Sequence, residues 1–240
     1  MTRSRSRTRP TEPRVDGAAA RAFGRKLRAW YRRNARDLPW RRTRDAYEIL
    51  VSELMLQQTQ VSRVVTRYGE FLERFPTLAD VGRARPARVM EAWEGLGYYA
   101  RARNLHKLAR QVTGDGRSPD AELPADPVEL RALPGIGAYT AGAVASFAYE
   151  RRAALVDTNV ARVLKRVFAP TVNVKTTSGA RMVWQIAESI LPRTGRATWT
   201  HNQALMELGA LVCTARVAHC GRCPVRGVCR SAKPRDRVAP

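Results

Sequence analysis

The chain has 240 residues, of which 44% are hydrophobic, and this is enough for one or two compact domains. No apolar run approaches the roughly eighteen residues that a membrane-crossing helix needs, and the N-terminus has no apolar stretch, so we expect neither a membrane span nor a secretory signal. The 43 Lys and Arg residues exceed the 21 Asp and Glu residues and give a net charge of +22. An arginine bias from a GC-rich genome would explain part of this excess, but the scarcity of acidic residues favours the phosphate backbone of a nucleic acid as partner.

Residues 1–16 are rich in Arg, Ser, Thr and Pro. They predict a disordered basic tail that adds non-specific affinity for DNA, and a transit peptide is the weaker alternative. Beyond the tail, apolar residues recur at helical spacing, and no stretch shows the period of two that marks a half-buried strand. We therefore predict an all-α fold. One predicted helix begins near Asp45, which acts as its N-cap, and Glu48 completes a capping box. The other predicted helices are 18–33, 61–72, 86–94, 100–112, 127–133, 138–149, 160–168, 178–191 and 202–212.

A glycine-containing turn separates two of these helices, in the stretch LPGIG at residues 133–137. Gly135 and Gly137 permit positive φ and let the backbone come close to another molecule. The helix that follows begins with free N–H groups and the positive end of its dipole, a combination that binds phosphate. A simple helix–helix corner is the alternative. In a basic, all-helical chain the turn indicates the hairpin of a DNA-binding helix-hairpin-helix.

The only cysteines of the chain lie near its C-terminus with the spacing C-x6-C-x2-C-x5-C: Cys213, Cys220, Cys223 and Cys229. Four thiols so close together predict a metal site or a pair of disulfides. A single C-x2-C pair argues against a zinc ribbon, whereas four thiolates also suit a [4Fe–4S] cluster. A reducing cytoplasm fits ligand cysteines better than a secreted location does.

Together, the hairpin, the cysteine spacing and the charge resemble the helix-hairpin-helix DNA glycosylases that carry an iron–sulfur cluster, and within them the adenine DNA glycosylases of the MutY family. The resemblance covers the chain from about Leu38 to Cys229 and is most specific in the first two of its segments. The matching segments are VSELMLQQTQ at 51–60, GLGYYARARNLHK at 95–107, LPGIGAYTAG at 133–142, VDTNV at 156–160 and NQALMELGALVC at 202–213.

The resemblance implies a helix-hairpin-helix glycosylase fold with its active site in the cleft between two domains. The implied parts are an N-terminal helix at 17–37 that packs with the cluster domain, a six-helix barrel domain at 38–150 that contains the hairpin, and an iron–sulfur cluster domain at 151–231, followed by a tail at 232–240. It also implies a [4Fe–4S] cluster on the four cysteines and double-stranded DNA with a mismatched or damaged base as partner. We expect a monomer that is cytoplasmic and associated with the nucleoid.

A glycosylase must extrude a base, protonate it, and stabilise the positive charge that develops on the sugar, so two carboxyl groups in opposite protonation states are expected. Glu53 lies among Leu50, Val51, Leu54 and Met55, where burial would raise its pKa. By the resemblance it protonates the flipped adenine, and by itself it would be an ordinary helix glutamate at the edge of the core. The resemblance also makes Asp157 the group that stabilises the oxocarbenium ion, whereas in isolation it is a helix N-cap.

The resemblance assigns Tyr139 and Asn159 to hydrogen bonds that hold this site together. Related endonuclease III enzymes carry a lysine at the position of Tyr139, and that amine forms a Schiff base and cleaves the strand. A phenol cannot form an imine, so we expect base removal with little or no lyase activity.

Other residues are implied to contact DNA. Gln58 and Tyr98 resemble the residues that enter the duplex beside the mismatch, and Gln57 lies next to this wedge. The cluster is expected to brace the loop that carries Arg216 so that it meets phosphates. Tyr98 as a core aromatic residue is the alternative.

Two departures from the family pattern bear on substrate choice. The chain stops soon after Cys229, where the family usually continues into a domain that helps to recognise 8-oxoguanine, and it has Asp157-Thr158-Asn159 where the family usually has Asp-Gly-Asn. Mismatch-specific thymine glycosylases share the short architecture and the hairpin tyrosine, so removal of thymine from G·T mismatches is the alternative function. A non-catalytic iron–sulfur DNA-binding protein is a more remote one, because both carboxyl groups are present.

Overall fold

The computed structural model describes residues 15–118 and 120–232, so most of the predicted N- and C-terminal tails lies outside the described residues. The all-α prediction is confirmed: within the described ranges the only β contact is an isolated bridge between Cys213 and Ala218. None of the described helices is both long and apolar enough to cross a membrane. The α-helices are α1 (Gly17–Asn34), α2 (Ala46–Leu56), α3 (Val61–Arg74), α4 (Leu78–Arg83), α5 (Pro86–Ala92), α6 (Ala100–Thr113), α7 (Pro127–Arg131), α8 (Ala138–Phe147), α9 (Thr158–Phe168), α10 (Thr177–Ser189) and α11 (Gly195–Leu211).

Two of these helices are buried on nearly all sides. In α2 every residue from Ile49 to Met55 is buried, and in α8 every residue from Thr140 to Phe147 is buried. A helix that is apolar around its whole circumference belongs in a protein interior, and α2 and α8 pack directly against each other. The residues that α2 and α8 carry are therefore held by the core rather than by surface loops.

The helices form two groups. Helices α2 to α8 pack among themselves, while α9, α10 and α11 pack together with α1, which lies against α11 and against the turn Arg226–Val228. A contact between α8 and α11 joins the groups. It is reinforced by Asn202, whose amide donates to the Ser146 hydroxyl and to the Ala153 carbonyl, both at 2.9 Å.

An ion-pair network around a buried glutamate also ties the two groups together. Glu207 on α11 is completely buried and accepts hydrogen bonds from Arg36, at 2.7 to 2.9 Å, and from Arg41, at 2.8 Å. Both arginines lie between α1 and α2. Burial alone would raise the pKa of the Glu207 carboxyl, but the hydrogen bonds from Arg36 and Arg41 outweigh it and lower this pKa to about 2. The segment that leads into α2 is thus fastened to α11.

All ten predicted helices are present, several with ends shifted by one or two residues, and three further details differ. Helix α11 begins at Gly195 rather than at 202, because Thr194 caps it by accepting the Ala197 N–H at 3.3 Å. Helix α4 was not predicted, although Thr77 and Asp80 form a reciprocal capping box at its start. Asp45 caps α2 as predicted, but its own N–H donates to Thr43 rather than to Glu48, so the predicted box is only half formed.

Candidate active site

A cavity of about 770 Å³ lies between the two groups of helices. Its walls come from α2 and its following loop, from the hairpin and α8, from the start of α9 and from α11. All four residues predicted to be catalytic line this cavity, and so do four of the six residues predicted to bind DNA. These eight residues are Glu53, Asp157, Tyr139, Asn159, Gln57, Gln58, Gly135 and Gly137.

Glu53 is buried at the wall of this cavity, with 3% of its surface exposed. Its Oε2 atom has no hydrogen-bond partner within the described part of the chain. Burial raises the pKa of the Glu53 carboxyl to about 7; the Tyr139 hydroxyl and the charge of Arg41 oppose this rise, and Asp157 adds to it. Near neutral pH a large fraction of Glu53 therefore carries a proton that it can donate.

Asp157 faces the same cavity in a more polar setting. Its Oδ1 accepts the Val160 N–H at 2.6 Å and so caps α9, and its Oδ2 accepts the Asn159 amide at 3.0 Å. The two interpretations made from the sequence are compatible, because the same carboxyl group caps the helix and lines the cavity. Thr158 is the first residue of α9, an ordinary helical position, so threonine in place of the family's usual glycine does not disturb this turn.

Tyr139 lies one residue into α8, close to both carboxyl groups. Its hydroxyl is 3.9 Å from the Met206 sulfur on α11. Burial raises the pKa of the Tyr139 phenol well above its ordinary value, and the neighbouring Glu53 and Asp157 raise it further. The phenol is therefore neutral and serves as a hydrogen-bond donor at this site.

The loop after α2 and the loop before α6 carry the residues predicted to enter DNA. Gln57 lines the main cavity, and its amide lies 3.4 Å from the Thr140 hydroxyl of α8. Tyr98 lines a second cleft, of about 500 Å³, and not the main cavity. Gln58 lines both the main cavity and this second cleft. Tyr98 is 59% exposed, which excludes the alternative of a core aromatic residue.

The predicted hairpin is present between α7 and α8. Gly135 has φ +77°, and a Cβ atom there would lie 2.6 Å from Cβ of Asn104 on α6, so both the turn and the packing require glycine. At Gly137 a Cβ would meet no atom within 4 Å, so the start of α8 faces open space. No side chain caps α8, which leaves its first N–H groups available to an anion.

The four cysteines surround a separate cavity of about 200 Å³, whose other walls include Val163, Val167, Leu208 and Val225. All four are free thiols, so the alternative of two disulfides is not present. Burial raises the pKa of the Cys223 thiol to about 11, and the three other cysteines add to this rise, as expected for thiols that crowd one space.

Four thiols around one cavity are a donor set that a [4Fe–4S] cluster uses. In the described ranges, no group of three or more His, Cys, Asp or Glu side chains is arranged to hold a metal ion. Arg216, predicted to contact DNA from this loop, is exposed and lines the cysteine cavity rather than the main one.

Arg162 links the cysteine loop to the main cavity, a connection that the sequence analysis missed. Its guanidinium donates to the Cys213 carbonyl at 2.9 Å and to the Gly209 carbonyl and the Asn159 side-chain oxygen, both at 2.8 Å. Gly209 also lets α11 pack closely against the start of α9, because a Cβ at this position would lie 2.9 Å from Cβ of Asn159. Asn159, which contacts Asp157, is thus held from the cysteine side.

Arg41, Gln203 and Glu207 are also cavity residues that were not predicted. Arg41 donates to Gln203 at 3.0 Å and to Glu207 at 2.8 Å, and its charge opposes the rise in the pKa of Glu53. Gln203 and Glu207 fall within the matching segment at 202–213. The signal available in the sequence was an acidic residue, Glu207, set among the apolar residues Leu205, Met206 and Leu208.

We predict that Glu53→Gln stabilises the folded protein at pH 8. Below about pH 4.5 Glu53 is protonated in both the folded and the unfolded state, so it contributes no pH dependence. Between pH 4.5 and 7 Glu53 ionises only in the unfolded state, so the free energy of unfolding of the wild-type protein falls as the pH rises. Above pH 7 this destabilisation is complete. The gain in the free energy of unfolding of Glu53→Gln over wild type should therefore grow by on the order of 3 kcal/mol between pH 4 and pH 8.

The measurement is denaturant unfolding of both proteins across this pH range. Glu94→Gln removes an exposed glutamate and serves as the control for the loss of a surface carboxylate. If the difference in the free energy of unfolding between Glu53→Gln and wild type did not change with pH, this would contradict the raised pKa of Glu53.

Comparison with known proteins identifies the family. Residues 51–192 match the HhH-GPD superfamily of base excision DNA repair proteins. The adenine DNA glycosylase of Homo sapiens is 41% identical over 93% of this chain, and that of Mycolicibacterium smegmatis is 46% identical over 83%. This chain spans 41% of the human protein and 66% of the mycobacterial one.

Two solved structures share the fold along nearly their whole length. A thermostable thymine-DNA glycosylase superimposes with a TM-score of 0.79 at 28% identity, covering 90% of this chain and 97% of its own. Endonuclease III in a non-covalent complex with DNA superimposes with a TM-score of 0.73 at 24% identity, covering 91% of this chain and 97% of its own. This chain belongs to the HhH-GPD superfamily of base excision DNA repair proteins.

Proposed function

We propose that this chain is a DNA glycosylase that removes adenine mispaired with guanine or 8-oxoguanine, hydrolyses the N-glycosidic bond and leaves the strand intact. The observation that carries the proposal is the buried Glu53 carboxyl, whose Oε2 atom has no hydrogen-bond partner in the described part of the chain and which shares one cavity with the Asp157 carboxyl. The curated relatives that are 40% to 46% identical are named adenine DNA glycosylases, which supports the same substrate.

The two carboxyl groups divide the chemistry. Glu53 donates its proton to a ring nitrogen of the extruded adenine, which turns the base into a better leaving group. Asp157, which two N–H donors orient, stabilises the positive charge that develops on the sugar as the bond breaks. Water then adds to the sugar and completes the hydrolysis. The cavity of about 770 Å³ is within the range of pockets that enclose a small ligand.

Tyr139 supports a reaction that stops at the abasic site. Its phenol lies beside Glu53 and Asp157, where an amine would be needed for a Schiff base with the sugar. A phenol forms no imine, so the enzyme removes the base without cleaving the strand.

Thymine removal is the second candidate, because the thermostable thymine-DNA glycosylase shares this fold along 97% of its chain. Chemistry favours adenine. Adenine has ring nitrogens with free lone pairs that accept a proton, whereas the ring nitrogens of thymine carry the sugar and a hydrogen. A buried carboxylic acid at the cavity wall is therefore more useful against a purine.

The contacts with DNA follow from the exposed parts of the same region. We propose that the open start of α8 after Gly137 binds a phosphate, that Gln58 and Tyr98 enter the duplex beside the mismatch, and that Arg216 meets a second phosphate. The net charge of +22 supplies the long-range attraction. The boundaries of the barrel domain (38–150) and of the cluster domain (151–231) belong to this proposal.

We also propose that Cys213, Cys220, Cys223 and Cys229 hold a [4Fe–4S] cluster. When bound, the cluster would cross-link the loop that carries Arg216. Arg166 lies beside the first of these cysteines, because its guanidinium donates to the Cys213 sulfur at 3.3 Å and to the Thr214 carbonyl at 2.8 Å.

We predict that the protein releases adenine faster than thymine or uracil. The assay measures single-turnover excision from otherwise identical duplexes with A·8-oxoG, A·G, T·G and U·G, with and without alkali to reveal abasic sites.

Glu53→Gln should lower the rate of adenine excision by at least about a hundredfold, because the amide cannot donate the required proton, while binding of DNA is kept. Faster release of thymine would support the second candidate, and strand cleavage that borohydride traps would contradict the role of Tyr139.

We predict about four iron and four sulfide ions per chain in protein purified without air. Elemental analysis and the visible absorption spectrum measure this. Cys223→Ser should lower the iron content, whereas Ser231→Ala, a change in the same segment without a thiol, should not. One zinc per chain without iron would contradict the assignment.

A further inference from the structure

Arg101 is the second residue of α6 and is buried, with 7% of its surface exposed. A buried guanidinium usually pairs with a carboxylate. Arg101 instead donates to seven oxygen atoms, six of them backbone carbonyls, and none belongs to an acidic side chain. The five N–H groups of arginine spread in a fixed plane, so one side chain can hold several segments of backbone at once.

One side of the guanidinium closes the end of α2, the helix that carries Glu53. Nη1 donates to the carbonyls of Leu54 at 2.7 Å, Met55 at 2.8 Å and Gln57 at 2.6 Å. The last carbonyls of a helix lack partners within the helix, and a cation at this end also interacts favourably with the helix dipole. Arg101 therefore supplies partners for the carbonyls at the end of α2 and at the first residue after it.

The other side holds the loop before α6. Nη2 donates to the carbonyls of Leu96 at 3.0 Å and Gly97 at 2.9 Å, and to the Thr59 hydroxyl at 3.2 Å. The Thr59 hydroxyl is also 3.3 Å from the Leu96 carbonyl. Arg101, together with the Thr59 hydroxyl, thus joins the loop after α2 to the loop before α6.

Each of these two loops contains a residue in the left-handed backbone region, Gln58 with φ +56° and Tyr98 with φ +46°. Residues other than glycine adopt this conformation at a cost, and it persists only where the surroundings hold it. The carbonyls of Gln57 and Gly97, immediately before the two strained residues, are both bonded to Arg101. Gln58 and Tyr98 are exposed and line the same cleft.

We propose that Arg101 is a positioning residue that holds Gln58 and Tyr98 in the conformation in which they enter the duplex, before DNA is bound. This inference rests on the proposed function, because it assigns Arg101 to the step in which the base is extruded. Arg101 does not touch the extruded base. Its loss weakens base extrusion more than it weakens the chemistry at Glu53 and Asp157.

The test compares Arg101→Lys, which keeps the charge but loses the planar fork, with Arg110→Lys as the control. Arg110 lies near the other end of α6, where it forms an exposed pair with Asp115 at 2.6 Å. The first readout is amide hydrogen exchange in the free protein. In Arg101→Lys, exchange should become faster by about tenfold in the peptides that cover 56–60 and 95–99, with little change in α11. Unchanged exchange in both loops would overturn the proposal.

The second readout separates extrusion from chemistry. Single-turnover excision is measured on two duplexes, one with a mispaired adenine and one with an unpaired adenine in a bulge. The bulged adenine needs less unstacking and unpairing before it enters the cavity. Arg101→Lys should lower the rate on the mispaired adenine on the order of a hundredfold and the rate on the bulged adenine much less, whereas Arg110→Lys should change neither. Equal loss on both substrates would indicate a general loss of structure and would contradict the proposal.

Thr59→Val provides a second variant if Arg101→Lys does not fold. It removes the hydroxyl that joins the two loops without leaving a buried charge, and it should change both readouts in the same direction by a smaller factor. Should wild type excise no base from any substrate, the proposed function fails, yet the exchange measurement on the free protein still supports or overturns the role of Arg101 in holding the loops.

Discussion

The burial of one carboxyl group is the constraint on which this site depends. Glu53 lies in α2, a helix surrounded by apolar contacts, and its Oε2 atom finds no partner in the described part of the chain. A carboxyl group in such a place keeps its proton to a higher pH than usual, and burial raises the pKa of Glu53 to about 7. The core thus maintains an acid in a state that a solvated glutamate would not have near neutral pH.

The remaining parts of the structure bring complementary groups to that acid and hold them there. The ion pairs of Arg36 and Arg41 with the buried Glu207 hold the segment that leads into α2 against α11. Arg162 holds Asn159, and through it Asp157, from the side of the cysteine cavity. Each link joins segments that are far apart in the sequence, so the geometry of the cavity depends on how the two groups of helices pack and not on a local motif.

Much of the fold and part of the site could be predicted from the sequence. Helical spacing and the glycine hairpin indicate an all-α chain, and Asp157 is recognisable as an N-cap because capping is local. The networks around Arg101, Arg162 and Glu207 could not be found in this way, since an arginine gives no local signal of which distant carbonyls it will contact. Glu53 is an intermediate case, because its apolar neighbours in the sequence predict burial but not that one of its carboxyl oxygens has no partner.

The pH dependence of adenine excision under single-turnover conditions tests the central claim most directly. If protonated Glu53 starts the reaction, the rate on an A·8-oxoG duplex falls as the pH rises through about 7, because the acid loses its proton. Binding of the same duplex, measured in parallel at constant salt, should not fall over that interval. A rate that stays constant from pH 5.5 to pH 8.5 would contradict the account.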